Sequence, residues 1–468
     1  MSLSPSTHSA PPIQALTLVT QVYYPDQQAT SQLLSALATA LATESRSDHA
    51  GLNSNTLTVE VEAQRQRSAA ESNPPEYSLH APWHVKVLCG YPSNARGEAL
   101  NTIPKLEDHR GVEIVRGGLK IDGKRSLIHR ALAYFTFLTW LALQLLFKTP
   151  AHQRVIVVTN PPFAPLIVWG CSRLRRMCGS SYTYLVLLHD LYPDGLIALK
   201  KLNPRAWWVK SWMALNRAAL SRAQRVITLG RDMSRHCHET YQVPHNLMTT
   251  VTNWSPVEWR KDQYRLPHET QLFQMLPGHA RQDEMMLVQY SGNMGLWHNI
   301  DALVRTAALV QDAPIHFVMI GEGRRRGAAQ ALAAQLNLSN ITWLPFQPLD
   351  TLTDSLQCAH VSLVSQRSEV LGVMVPSKLY GILASGRAVI AQAPRTSEVA
   401  LTVTEHGCGL TLDSSEPELL ARILRKLSSN MTDVLQMGVA ARDAYRSHHS
   451  FASAVQHFRE ILHESHTS

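Results

Sequence analysis

Met286–Gly295 reads Met-Leu-Val-Gln-Tyr-Ser-Gly-Asn-Met-Gly, and a helical pattern follows over Ile300–Val310. A short run apolar on both faces, a turn with two glycines and then a helix make the opening of a βαβ unit. Glycines at 292 and 295 let backbone approach a neighbour closely, and a helix start presents unpaired N–H groups to an anion. A plain tight turn accounts for the same residues, so their meaning depends on what surrounds them.

Downstream the pattern repeats. Ile315–Ile320, Ile341–Leu344, Val361–Val364 and Ala388–Ala391 read as strands, separated by helices at Arg325–Leu336, Leu349–Gln357 and Ser377–Ala384. Upstream, a similar series runs through Leu16–Val22, Val85–Leu88, Val112–Val115, Val155–Val158, Tyr184–Leu188 and Val226–Leu229, with a helix at Ser31–Leu41. Strands apolar on both faces that alternate with helices specify parallel sheets covered on two sides. The expected architecture is α/β, with two Rossmann-like doubly wound domains facing across a cleft. Residues 14–252 make the first domain, with a polar insertion at 44–82 in which Thr56–Val61 has strand character, and residues 253–447 make the second. A disordered leader at 1–13 and a C-terminal helix and tail at 448–468, amphipathic over Ser450–Leu462, complete the division. Asn253-Trp254-Ser255-Pro256 is the natural crossover. Ligands of such sheets bind outside the carboxyl ends of the strands, which puts the active site in the cleft.

The 468 residues are 45% hydrophobic and 17% charged, which excludes a largely disordered chain. A net charge of +8 points to a local anionic contact, phosphate or a lipid surface, and excludes a histone-like coat. Cys89, Cys171, Cys178, Cys237, Cys358 and Cys408 form no CxxC pair, so reduced, buried thiols of a cytosolic protein are expected and a zinc site is not. The opening MSLSPSTHSAPPIQA carries no export signal. Ala131–Phe147, ALAYFTFLTWLALQLLF, sits at the short edge of a membrane span and reads instead as a buried or membrane-surface helix.

Ile320-Gly321-Glu322-Gly323 is a second glycine turn and leads into Arg324-Arg325-Arg326, cations at a helix start that need solvent or an anion. Val375-Pro376-Ser377-Lys378 places Pro and Ser where a helix begins, and Lys378 adds an ammonium able to neutralise a diphosphate. A lysine there disfavours the helix itself, and that local conflict argues for function. Leu187-Leu188-His189-Asp190-Leu191-Tyr192-Pro193-Asp194 sets a histidine and two carboxylates just after a strand. His189 suits a base or polarising group, or a satisfied structural histidine. Thr159-Asn160-Pro161-Pro162 would line the same cleft.

Residues 195–235 hold nine cations, Lys200, Lys201, Arg205, Lys210, Arg217, Arg222, Arg225, Arg231 and Arg235, against one acid, Asp232. Trp208, Trp212, Leu215 and Ala219 share one helical face there, which suits anionic lipid headgroups or a core-facing stripe with a solvated basic side. No nucleic-acid module accompanies them.

YSGNMG, GEG, VPSKLYGILASG and LHDLYPD together resemble family 4 of the retaining glycosyltransferases, and within it the bacterial colanic-acid and O-antigen branch. The resemblance runs from about Leu16 to the C-terminus outside 44–82. It implies a GT-B fold with an N-terminal acceptor domain and a C-terminal nucleotide-sugar domain. It implies retaining, metal-independent transfer of a hexose or deoxyhexose from a UDP- or GDP-sugar to a lipid-linked or other glycan acceptor, in surface or exopolysaccharide biosynthesis. The place implied is the cytoplasm, peripheral at the inner face of the plasma membrane, with no cofactor, metal or nucleic acid. By motif, Gly292, Asn293, Gly295, Ser377 and Lys378 would meet the donor diphosphate, with Gly321, Gly323 and Arg367 in the donor set. Phe346 and Gln347 would border the base, and His189 and Asp190 would be the catalytic pair on the acceptor side.

The chain departs from the family in three places. The paired glutamates eight residues apart are absent, since Glu369 plus eight is Ser377; Gly381 takes the second one's place; and the first turn, Asp26-Gln27-Gln28-Ala29-Thr30-Ser31, has no glycine. Two rivals follow, a nucleotide-sugar 2-epimerase of the same fold and a non-catalytic nucleotide-binding partner in a polysaccharide assembly complex.

Overall fold

The computed structural model describes residues 14–26, 28–43, 83–92, 102–120, 127–255, 259, 264–295, 298–413 and 416–464. The leader at 1–13, the 44–82 insertion with Thr56–Val61, Gln27 and Pro256 lie outside the described residues.

The first domain runs β1 (Gln14–Thr20), α1 (Ala29–Thr43), β2 (Trp83–Cys89), β3 (Leu106–His109), β4 (Val112–Arg116), α2 (Leu127–Phe147), β5 (Arg154–Val158), α3 (Ala164–Met177), β6 (Thr183–Leu187), α4 (Asp194–Ala198), α5 (Trp207–Leu220), β7 (Arg225–Thr228), α6 (Arg231–Tyr241) and β8 (Met248–Thr250). The second runs α7 (Gln271–Gln274), β9 (Met286–Ser291), α8 (Ile300–Leu309), β10 (Ile315–Ile320), α9 (Arg326–Gln335), β11 (Ile341–Leu344), α10 (Leu352–Gln357), β12 (Val361–Ser365), α11 (Lys378–Ser385), β13 (Ala388–Gln392), α12 (Glu398–Glu405), β14 (Gly409–Leu412), α13 (Pro417–Ser428) and α14 (Met431–Ala444), before a final α15 (Phe451–Glu464).

The sheet orders are β3-β4-β2-β1-β5-β6-β7-β8 and β11-β10-β9-β12-β13-β14. Every pairing is parallel except β3 with β4. Every residue of β5 and β10 is buried, which is why these strands read as unbroken apolar runs. Two first-half strands are absent from the sequence reading: β3, Leu-Glu-Asp-His at an antiparallel edge with alternate residues exposed, and the three-residue β8, neither of which carries an apolar run to find. In the second sheet the order reverses between β9 and β12, and the crevice above that switch point is where ligands of such sheets sit.

Several expectations change in detail. The segment expected as one helix at Leu349–Gln357 opens with a 3-10 turn, Leu349–Thr351, before α10. The glycine-free first turn is closed by Asp26, whose carboxylate accepts the Gln28 N–H at 3.1 Å just before α1. All six cysteines are free, but Cys178 is exposed at the end of α3, not buried. Ala131–Phe147 lies in α2 and is not a buried helix: Phe137, Leu141 and Leu145 are covered while Phe135, Leu143 and Phe147 face out.

Several contacts tie the halves together. The final helix returns to the first domain, where Val455, Phe458 and Ile461 join the core of β1 and β2. Trp254 of the crossover is buried against Phe451 and Phe458, with ring centroids 5.8 and 6.3 Å away. Across the cleft, the Leu191 N–H donates to the Val373 carbonyl at 3.0 Å, and Asp190 pairs with Met374 in a single antiparallel bridge.

Candidate functional site

The site is assembled at the carboxyl end of the second sheet from three loops. Gly292 N–H donates to Ile320 O, Gly321 N–H to Leu344 O and Met294 N–H to Glu322 O, at 3.0, 3.0 and 2.8 Å. These bonds stack the two glycine turns on each other. At Gly321, with φ of +128°, a Cβ would collide with the Gly292 carbonyl oxygen, so turn-to-turn packing itself requires glycine there. Gly323 lies the same way against Met294 and the Asn293 side chain, and Gly295 adjoins that side chain too. Glycine at 292 leaves room for Lys378, whose Nζ would stand 3.1 Å from a Cβ at that position.

Lys378 is the first residue of α11. Its Nζ is buried without a hydrogen-bond partner and stands 3.8 Å from the centroid of the Tyr290 ring. Burial pushes the ammonium down to about 7. Tyr290 is held by donating its hydroxyl to the Asn293 carbonyl at 2.9 Å, and His298, which also packs edge-on to Tyr290, shares a hydrogen bond with Ser365 O at 2.7 Å. Burial, then the charge of Lys378, holds His298 down at about 3, so its imidazole is neutral. Ser377 makes no capping bond with its side chain, which leaves its hydroxyl and the first amides of α11 for a ligand. A buried, unpaired ammonium beside a helix start and a glycine turn is an anion cradle.

Phe346 is half exposed, with its ring edge beside Gly321. Gln347 donates to Pro345 O at 2.9 Å. Arg367 lines a cavity of about 300 Å³ with Asn299, Ser365, Glu369, Gln392 and Asp413, and its guanidinium pairs with Glu369 at 2.6 Å. Gly381 faces the core: a Cβ there would meet Leu356 at 3.3 Å, so the position serves the packing of α11 on α10. Of the three arginines, Arg325 pairs with Asp301 at 3.1 Å and Arg326 with Glu322, so two of them are answered by the protein's own carboxylates.

On the facing wall, Thr159 Oγ1 accepts the backbone N–H groups of His189 at 3.1 Å and Asp190 at 3.3 Å. His189 is half-buried and Asp190 is exposed on the cleft wall. Crowding by the protein moves them in opposite senses, with His189 lowered to about 4 and Asp190 raised to about 6. At neutral pH the pair therefore offers a neutral imidazole and a carboxylate close to its titration point. The Asp190–Met374 bridge brings this wall onto the loop that leads to Ser377 and Lys378.

Four contributors were given no role by the sequence reading. Met374 shows nothing in its residue type. Tyr290, the partner of Lys378, reads as the last residue of an apolar strand and the first of YSGNMG, with nothing to tie it to a lysine 88 positions away. Arg231 of α6 and Glu398 of α12 join the domains, with Arg231 Nε 3.0 Å from a carboxylate that also accepts the Arg231 backbone N–H at 2.8 Å.

Two Rossmann-like sheets facing a cleft, with the cradle on the second and polar groups on the first, define the GT-B architecture of glycosyltransferases. Residues 276–444 match the model of the family Glycosyl transferases group 1. The chain is 23% identical over 348 residues, 74% of its own length and 84% of the relative's, to the probable glycosyltransferase WbjE of Pseudomonas aeruginosa. It is 26% identical over 225 residues, about half of each chain, to the putative colanic acid biosynthesis glycosyl transferase WcaI of Escherichia coli K12. Among solved structures it resembles sucrose-phosphate synthase of Thermosynechococcus elongatus, with a TM-score of 0.65 and 14% identity over 96% of this chain and 98% of that one. Anabaena HepE in complex with UDP and glucose gives 0.62 and 12%, covering 96% and 100%. WaaG, a glycosyltransferase of lipopolysaccharide biosynthesis, gives 0.61 and 13%, covering 95% and 99%.

Proposed function

We propose that the protein transfers a hexose or deoxyhexose from a UDP- or GDP-sugar to a lipid-linked glycan acceptor, with retention at the anomeric carbon, in bacterial surface polysaccharide biosynthesis. The observation that carries the reading is the buried, partnerless ammonium of Lys378. An unpaired cation inside a protein is costly, and a diphosphate seated between it, the start of α11 and the Gly292 turn removes that cost. As the glycosidic bond breaks, negative charge grows on the leaving diphosphate. Lys378 and the amides around it strengthen their interaction at that moment, which is the differential stabilisation catalysis needs, and they supply it without a metal.

Asp190 and His189 face the acceptor. The Asp190 carboxylate accepts a hydrogen bond from the attacking hydroxyl, and the neutral imidazole of His189 orients the sugar without adding positive charge near the cradle. Phe346 borders the base. The names of WcaI and WaaG support a polysaccharide product, and the HepE complex supports a nucleotide-sugar donor.

Thermal shift against a panel of nucleotide sugars, followed by transfer assays with the stabilising donor, tests the reading. The expected result is a glycosylated acceptor whose new linkage keeps the donor's anomeric configuration. Isomerisation of the sugar with no acceptor present, or nucleotide binding without transfer across the panel, overturns it.

A further inference from the structure

Helix α2 has two apolar faces and only one of them is covered. Phe137, Leu141 and Leu145, spaced four apart, are fully buried in the first domain. On the opposite side Ile128, Leu132, Phe135, Leu143 and Phe147 face outward, with Phe135 69% and Phe147 77% exposed. From Ile128 to Phe147 that outer stripe is about 28 Å long at 1.5 Å per residue. No Asp, Glu, Lys or Arg occurs from Ala131 to Phe147. An apolar stripe of this length in water marks a surface that something covers.

The neighbouring helices extend it. α3, packed on α2, exposes Leu174 and Met177 beside Arg173 and Arg176. α5, packed on α3, exposes Trp207, Trp208 and Leu215 beside Lys210 and Arg217, and Trp212 stacks on Phe163 at 4.5 Å to join the two helices. The face of α5 that goes inward is Val209, Asn216, Ala219 and Leu220, so the tryptophan stripe is not a core stripe. The basic run also divides: Arg225 pairs with Glu464 at 3.1 Å and Arg231 with Glu398, while Lys200, Lys201, Arg205 and Lys210 are exposed. Between residues 127 and 220 the chain has eleven Lys and Arg against two acids, Asp190 and Asp194. Both acids belong to the cleft region, and Asp194 is buried and bonded to His236 and Tyr241.

We propose that the outer faces of α2, α3 and α5 form one docking surface for an anionic lipid bilayer, with α2 lying in the plane of the interface. Charge selects this occupant, since an apolar stripe rimmed by cations and free of acids matches acyl chains beneath anionic headgroups, whereas a second copy of this chain would bring a like-charged rim. α2 is long and apolar enough to cross a membrane, but a crossing would strip Phe137, Leu141 and Leu145 from the core they complete. Lying flat, the helix keeps that core and buries its outer face. Its N-terminal part is near the cleft, for Arg130 and Tyr134 lie within electrostatic reach of Tyr192, two residues from Asp190. Docking therefore holds the acceptor wall at the headgroup level. This deepens the reading of a lipid-linked acceptor, yet it concerns binding alone.

The test is flotation of the full chain with vesicles of phosphatidylcholine, with and without 30% phosphatidylglycerol, in the absence of any donor or acceptor. Binding is expected to the anionic vesicles, to fall with salt, and to drop about tenfold or more for Phe135→Asp with Phe147→Asp. Removing Lys210 or Arg173 is expected to weaken it about fivefold each, from about 1 kcal/mol per surface cation. Leu435→Asp, an exposed position on α14 of the other domain, serves as control and leaves binding unchanged. Thermal melts check that the variants fold. Equal binding of the Phe135/Phe147 variant overturns the proposal, as does resistance of the bound protein to alkaline extraction, which would mean a span. A dimer in solution that these substitutions dissociate, with no vesicle binding, also overturns it. Turnover on a water-soluble acceptor analogue without vesicles reads the transfer reaction separately, so the two proposals fail independently.

Discussion

The Lys378 Nζ lies 3.8 Å from the centre of the Tyr290 ring and has no hydrogen-bond partner. Among the described residues the ring's negative face is what compensates the buried charge, and it is weaker than a hydrogen bond to an anion. Replacing Lys378 by Ala is expected to lower kcat/KM for the donor about ten- to a hundredfold, from the ~1.5–3 kcal/mol of one charge-assisted bond. Lys378→Arg keeps the charge but not the compact ammonium, and recovers part of the loss. Steady-state transfer rates, with circular dichroism to verify folding, give the answer; wild-type rates for Lys378→Ala refute the assignment.

The same burial makes donor binding pH-dependent. With its pKa lowered to about 7, Lys378 is mostly neutral at pH 8 in the empty site. A bound diphosphate favours the charged form and draws a proton in, so affinity for nucleoside diphosphate is expected to weaken as pH rises above about 7. In the empty protein the sign for stability follows from the unfolded chain, which holds this proton more tightly. Destabilisation is therefore present below about 7 and is relieved as pH climbs from there towards the normal lysine value. Calorimetry at pH 8 in buffers of different ionisation enthalpy should report net proton uptake on UDP or GDP binding, and none for Lys378→Ala.

Gly321 and Gly327 make a matched pair for the glycine turns. Gly321→Ala drives a methyl into the Gly292 carbonyl at a φ of +128° and is expected to cost about 2–4 kcal/mol and to disorder the cradle. Gly327, inside α9, has open space around it, so Gly327→Ala should stabilise by about 0.5–1 kcal/mol. Chemical denaturation curves compare the two directly.

Glu398 carries the junction between the domains. Its carboxylate is buried and accepts both the backbone and the guanidinium of Arg231, which itself is partly open to solvent. Glu398→Ala is expected to cost about 1–2 kcal/mol after allowance for screening on the Arg231 side. Small-angle scattering should show a wider separation of the halves if this pair holds them.

Legibility followed burial. β5 and β10 were readable because both faces are covered, and the Lys378 region because a cation at a helix start contradicts local preference. Edge strand β3 and the short β8 and β14 carry no apolar run to find, and Arg231 with Glu398 are 167 residues apart, so only the folded chain joins them. Gly321 and Gly323 are legible in the sequence as a strand-to-helix turn, while the packing of one turn on another is what requires glycine there. Helix α2 was ambiguous because an apolar sequence does not say which of two apolar faces is covered.

Asp190 gives the last test. Crowding in the cleft raises it to about 6, above the ordinary carboxylate value, so the folded protein holds the proton longer than the unfolded chain does. Its contribution to stability is present below about pH 4 and is lost as pH rises through 6. Activity moves the other way, because accepting the acceptor's hydroxyl proton requires the ionised form. The rate of transfer is expected to rise with pH along a limb centred near 6. Asp190→Asn should flatten that limb and lower kcat about 10²–10⁴-fold, the usual share of a general base, while leaving donor affinity intact. His189, neutral down to about 4, adds no limb of its own in that window. A limb that survives in Asp190→Asn would transfer the role to another group, because no other change at this position removes the proton acceptor while keeping its shape.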